Sequence, residues 1–330
     1  MSGGWKAAVA VAAVIAALIA LSGPPPGEPT QVTIPSGATL SQVADSLSAR
    51  GVIRGRALFE WYARARRADR KIKSGHYLLA TNSSWASTLG SITRGEVVTE
   101  PMTIPEGFMV QQMVPRIAEA AGVSPASVQA LLAESDLVER LGVPGPGVEG
   151  YLFPDTYRFA SGVPVSTILE TMAERYRAVW TPERLAQLEE LGWTERELVT
   201  LASIVQAEAR RPEEMPRIAG VYHNRLEIGW LLQADPTVIY ALGGYRERLL
   251  YAAIDSVADN PYNTYRQSGL PPGPISAPGE AAIDAALNPI DDYLFFVARP
   301  DGYHVFTRSL AEHNQARIDI RGMNAAQRGS

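Results

Sequence analysis

Residues 194–209, Thr-Glu-Arg-Glu-Leu-Val-Thr-Leu-Ala-Ser-Ile-Val-Gln-Ala-Glu-Ala, constrain this chain more than any other stretch. Thr194 with Glu197 three residues on forms a capping box, which starts a helix by satisfying its free N–H groups. At about 100° per residue, Leu198, Leu201, Ala202, Ile204, Val205 and Ala209 sweep one arc of that helix. The segment must therefore lie against a core. Yet Glu208 falls on the same arc, between Ile204 and Leu201, while Gln206, Ala207 and Arg210 point elsewhere. A carboxylate on a buried face is costly unless it is paired, hydrogen-bonded or protonated. Either Glu208 reaches water at the rim, beside Arg210 or Arg211, or the chain uses a buried acid.

The rest of the chain narrows the choice of chemistry. There is no cysteine, which removes disulfides, thiolate nucleophiles and Cys-based metal sites together. His76, His223, His304 and His313 have no metal-ligand spacing, and HExxH, G-x-S-x-G, Walker and EF-hand patterns are absent, so no metal or cofactor is expected. Gly-Pro-Gly-Val-Glu-Gly (145–150) spells a dinucleotide fingerprint, but Pro146 interrupts it and no helix follows; it reads as a turn. A net charge of −5, with only a short basic run at 64–73, argues against nucleic acid as a partner. What remains is a set of acids (Glu149, Asp155, Glu208, Asp235) among amides, hydroxyls and aromatics: Tyr151, Gln233, Thr237, Tyr240, Tyr262, Asn263, Thr264 and Tyr265. Hydrogen-bonding groups and stacking faces with few cations suit a neutral, hydroxyl-rich polymer better than a phosphate.

Several boundaries are readable. Residues 1–6 carry one lysine, and residues 7–23 form an uncharged, Ala-rich run about as long as the shortest membrane-spanning helices. Lys6 before the run orients the N-terminus to the cytoplasm. The run reads as an uncleaved anchor, although Ala20-Leu21-Ser22 also offers a signal-peptide cleavage site. On either reading the remainder works outside the cytoplasm. A Pro-rich linker (24–29) follows, then a small βα region (30–100) and a larger, mainly helical region with short strands (101–330). The overall expectation is α+β. Thr-Ile-Pro-x-Gly, four residues and then Gln occurs twice, at 33–42 and 103–112. This duplication suggests a repeated strand-turn-helix unit whose Pro and Gly fix the turn; its first copy resembles a LysM module, a glycan-gripping fold.

Taken together, Glu-Gly-Tyr-Leu-Phe-Pro-Asp-Thr-Tyr (149–157), Leu-Ala-Ser-Ile-Val-Gln-Ala-Glu-Ala (201–209), the run 221–243, the segment 262–279 and His-Val-Phe-Thr-Arg-Ser-Leu-Ala-Glu-His-Asn (304–314) resemble the YceG-like (MltG) family of endolytic murein transglycosylases. The resemblance covers nearly the whole chain. It implies a lysozyme-like catalytic domain that cuts the bond between N-acetylmuramic acid and N-acetylglucosamine in nascent glycan strands. The products would carry 1,6-anhydro ends, and strand elongation would stop. It implies no cofactor, a single-pass protein of the cytoplasmic (inner) membrane facing outward, and peptidoglycan synthases as candidate partners. In that family the second Glu of an Ala-Ser-Ile-[Val/Ile]-Glu-x-Glu pattern is the catalytic acid, which falls on Glu208; the first is Gln206 here, a departure. Burial would keep Glu208 protonated near neutral pH, as a general acid requires. The resemblance places Gln233, Asp235, Tyr240, Tyr262, Asn263 and Tyr265 along the cleft, with Glu149 at its edge, as the sugar-binding groups. Two alternatives stay open: a lysozyme-type hydrolase with Glu149 or Asp235 as second carboxylate, and an inactive glycan-binding scaffold.

Overall fold

The structure, a computed structural model, describes residues 25–35, 37–244, 249–290 and 292–328. The apolar run 7–23 lies outside the described residues. Among those described, no helix is long and apolar enough to cross a membrane. The chain is α+β: many helices with small two-stranded sheets, ordered β1–β2, β3–β4 and β5–β6. It divides into two compact units, residues 1–101 with 158–163, and 102–157 with 164–330.

In the first unit, β1 (Pro29–Ile34) pairs antiparallel with β2 (Gly75–Ala80), so that Val32 faces Tyr77. Helices α1 (Leu40–Ala49), α2 (Arg56–Ala65) and α3 (Trp85–Arg94) cover this ribbon. A lone hairpin is marginal in water. Here Val32, Ile34, Val43, Leu47, Phe59, Tyr77 and Ile92 close one core over it. The predicted apolar face Leu40, Val43, Ala44, Leu47 is the buried face of α1.

The duplicated motif has a shared physical meaning. Gly37 (φ 74°) and Gly107 (φ 76°) both take the left-handed conformation that only glycine adopts without strain. Five residues later, Gln42 and Gln112 each turn back, and their side-chain oxygens accept the backbone N–H of Thr39 and Met109, each at 2.8 Å. Each copy thus turns the chain and caps a following helix, α1 in one case and α4 (Val110–Ala121) in the other. The strand before the second copy is β3 (Thr99–Thr103), hydrogen-bonded to β4 (Thr156–Ala160).

The second unit is helical. α5 (Pro125–Leu132), α6 (Leu137–Leu141), α7 (Val165–Val179) and α8 (Pro182–Leu191) lead to α9 (Glu195–Glu208). The capping box at Thr194 forms as the sequence requires: Glu197 accepts the Thr194 N–H at 2.8 Å and donates its own N–H to the Thr194 hydroxyl. Helix α9 is buried continuously from Leu198 to Val205 and packs against α10 (Met215–Glu227) and α13 (Glu280–Leu287). Even its polar residues are engaged there: the Ser203 hydroxyl donates to the Thr200 carbonyl and accepts the Ile275 N–H. Two short helices, α11 (Asp235–Ala241) and α12 (Tyr251–Ser256), carry the loops that follow α10. The expected hairpin is present as β5 (Phe295–Ala298) with β6 (His304–Thr307), backed by α14 (Leu310–Arg328).

Candidate active site

Glu208 is the last residue of α9; Ala209 is already extended, and Pro212 opens a separate 3-10 turn (Pro212–Glu214) that leads into the next helix. The carboxyl leaves the apolar stripe where the extended Ala209 ends the helix. Tyr222, fully buried on α10, donates its hydroxyl to Glu208 Oε1 at 3.0 Å. Burial pushes the Glu208 carboxyl up from 4.5 to about 7, and the Asp235 charge adds to this, while the Tyr222 hydrogen bond and Arg225 pull it back. Its place at the negative end of a helix acts in the raising direction. The Tyr222 phenol is itself held well above 10 by burial and by Glu208, so it stays a donor. With Oε1 engaged, Oε2 is the oxygen available to carry a transferable proton.

Arg225, one turn beyond Tyr222, binds two loops around this acid. Its Nε donates to the Leu294 carbonyl at 2.8 Å and its Nη1 to the Leu232 carbonyl at 2.6 Å. Burial lowers its pKa from the usual arginine value, and its guanidinium lies over the Phe295 ring. The Phe296 ring meets the Tyr222 ring edge-on, 5.8 Å between centroids. The hairpin thus backs the residue that orients Glu208. Neither Tyr222 nor Arg225 was singled out from the sequence; both lie in the run 221–243, three residues apart, so one turn of α10 presents both.

The expected sugar-binding residues separate into groups. Asp235, exposed at the start of α11, accepts the Tyr265 hydroxyl at 2.6 Å, and both residues sit close enough to Glu208 to act on it or feel its charge. Tyr240, at the other end of α11, packs against Tyr262 with centroids 4.8 Å apart. Burial, and after it the nearby Glu149, raises both phenols above the usual tyrosine value. Glu149 accepts the Val110 N–H through both oxygens, at 3.0 and 3.2 Å, and burial pushes its carboxyl up to about 8. Gln233 is exposed at the lip of the loop before α11, in the left-handed region at φ 50°.

Asn263 is placed differently. It is fully buried: its amide donates to the Ile254 and Val257 carbonyls at 2.9 and 3.0 Å, and its oxygen accepts the Tyr265 N–H. Both of its amide hydrogens are thus engaged within the segment that carries Tyr262 and Tyr265. Thr264 beside it is likewise engaged, accepting the Ala234 N–H and bonding the Thr237 hydroxyl at 2.8 Å. Gln206 lies apart from Glu208's partners, and its oxygen accepts the Gly279 N–H at 3.0 Å. Among the described residues, no group of three or more His, Cys, Asp or Glu side chains could hold a metal ion.

The site therefore defines an α+β protein whose second unit presents a partly buried carboxyl, raised to about 7, near an exposed one. The sequence profile of the YceG-like family matches residues 32–318, and the chain belongs to that family. It is similar to the endolytic murein transglycosylase of Bacillus subtilis (strain 168), at 31% identity across 87% of this chain and 83% of that one. The endolytic murein transglycosylase of Streptococcus pneumoniae (strain D39) is 28% identical over 87% of this chain, which spans 59% of that longer relative. A solved yceG-like protein from Listeria monocytogenes is 30% identical, with a TM-score of 0.61, covering 88% of this chain and 99% of that one.

Proposed function

We propose that this chain is a lytic transglycosylase acting inside peptidoglycan glycan strands, with Glu208 as its acid and then its base. The observation that carries the reading is the Glu208 carboxyl itself, desolvated and held by Tyr222 so that it titrates near neutrality. In the first step the proton on Oε2 passes to the glycosidic oxygen, and the bond from muramic C1 to that oxygen breaks with its electron pair leaving on the oxygen. The sugar left behind is an oxocarbenium-like cation, which the negative charge of Asp235 favours. The Glu208 carboxylate then takes the proton of the C6 hydroxyl as its oxygen closes on C1. The result is a 1,6-anhydro end, and Glu208 is protonated again. One carboxyl near pKa 7 suits both halves of the cycle.

A lysozyme-type hydrolysis is the second reading, favoured by the exposed Asp235 carboxylate near enough to Glu208 to act on it. Glu149 is unsuited to a base's role near neutrality, because burial keeps it protonated there. The reading extends to the rest of the chain. Residues 7–23 anchor it in the cytoplasmic membrane, and the first unit serves as a LysM-like grip on the glycan. The second unit is the lysozyme-like catalytic domain, and cutting nascent strands terminates their elongation beside the synthases. Mass spectrometry of fragments released from peptidoglycan tests the chemistry. Anhydro ends support transglycosylation, reducing ends support hydrolysis, and intact strands favour a scaffold. Fractionation of cells tests the anchor, since a soluble mature chain starting near Gly23 would show cleavage instead.

A further inference from the structure

We propose that Glu149, Tyr240, Tyr262 and Gln111 form a subsite that recognises the acetamido group of a sugar adjacent to the bond being cut. The proposal rests on the glycan reading above and goes beyond it by assigning a chemical group to a pocket. The pocket, about 290 Å³, is lined by Met109, Gln111, Glu149, Tyr240 and Gly243. Three chain segments distant in sequence converge there, at the start of α4, the turn 145–150 and the end of α11. Tyr262, packed on Tyr240, extends the aromatic wall.

Glu149 sets the chemistry. It accepts the backbone N–H groups of Val110 and Gly150, and among the described residues no cation pairs with it. A buried acid with no counter-charge keeps its proton, in line with its carboxyl being pushed up to about 8. A protonated carboxyl has one O–H to donate as well as an oxygen that accepts. An amide is its natural complement, with a carbonyl to accept that proton and an N–H to donate back, and the tyrosine rings provide a surface for the methyl group. A cationic amine is the competing ligand. It would have to be desolvated together with a carboxylate that the pocket disfavours, and such a pair often costs more than it returns.

Helix α11 fixes where this subsite lies. Asp235 at its start acts on Glu208, and Tyr240 stands five residues on, roughly 7–8 Å along the axis. The pocket therefore flanks the reacting bond and does not coincide with it. Turnover of N-acetylated and de-N-acetylated glycan strands by wild type, Glu149→Gln, Glu149→Ala and Gln111→Ala tests the proposal. Binding of the same strands to Glu208→Gln variants gives a second readout. Wild type is expected to favour acetylated strands by on the order of tenfold or more, as one good hydrogen-bonded group allows. Glu149→Ala should raise KM on acetylated strands and abolish the preference, whereas Glu149→Gln, which still donates and accepts, should keep it. Gln111→Ala, changing an exposed side chain, should lower the preference without a change in Tm. Equal turnover of both strands by wild type overturns the subsite, as does a preference for the amine form or a preference untouched by Glu149→Ala. Failure of wild type to cleave either strand overturns the glycan reading itself, and the subsite with it.

Discussion

Replacing Glu208 by Gln is expected to stabilise the protein in mild alkali and to leave its stability unchanged in acid. The wild-type carboxyl titrates near 7 when folded against about 4.5 in the open chain, because it is desolvated beside Asp235. Below pH 4.5 both states hold the proton and there is no penalty. As pH rises from about 4.5 to about 7, the unfolded chain releases its proton while the folded one retains it, so wild-type stability falls. At about 1.36 kcal/mol per tenfold change in the protonation equilibrium, the gap of 7 − 4.5 is worth up to about 3 kcal/mol. Glu208 keeps some solvent contact, which reduces this to roughly 1–3 kcal/mol. The Gln variant keeps the volume and the Tyr222 contact but carries no charge, so it escapes the penalty. At roughly 2–4 °C per kcal/mol for a unit of this size, Glu208→Gln should melt about 2–12 °C above wild type at pH 8 and at the same temperature at pH 4. Paired thermal melts across that range measure it. A difference in Tm that does not vary with pH would refute the claim that the folded site raises this carboxyl.

Tyr222→Phe removes a hydrogen bond that favours the Glu208 carboxylate. Because a bond to a charged group is worth about 1.5–3 kcal/mol, the alkaline limb of kcat/KM should move up by one pH unit or more as turnover falls; a limb that stays in place or moves down contradicts the assignment. Asn263→Ala strands the Ile254 and Val257 carbonyls and the Tyr265 N–H, so Tm and activity should fall together, at a cost of about 2–4 kcal/mol; activity loss at an unchanged Tm would return Asn263 to the sugar site. Thr194→Ala removes the cap of α9, about four turns from the acid, and should cost about 1 kcal/mol while leaving kcat unaltered; a large loss of turnover would mean that α9 positions Glu208 less rigidly than its burial implies.

The elements legible in the sequence are those governed by local rules. The capping box at Thr194, the apolar stripe of α9, the hairpin around 295–307 and the paired Thr-Ile-Pro-x-Gly turns all depend on neighbours within about one turn of chain. The sequence offers candidate residues for the site but not their arrangement. Tyr222 reaches Glu208 only because the chain reverses at Pro212 between two helices. Nothing in its own segment distinguishes it from a core tyrosine. That the Asn263 amide donates to two backbone carbonyls is likewise visible only in the fold. The split of the tyrosines between Glu208 and Glu149 depends on how α11 lies between them, which is a long-range outcome of packing.

The central claim is that the Glu208 proton breaks the glycosidic bond. Its most direct measurement is the rate at which purified wild type and Glu208→Gln release 1,6-anhydro fragments from the same glycan strands, read by mass spectrometry with both proteins shown to be folded. The account expects wild type to release them and the variant to be slower by on the order of 10²–10⁴ or more. Turnover by Glu208→Gln within a few-fold of wild type would contradict it.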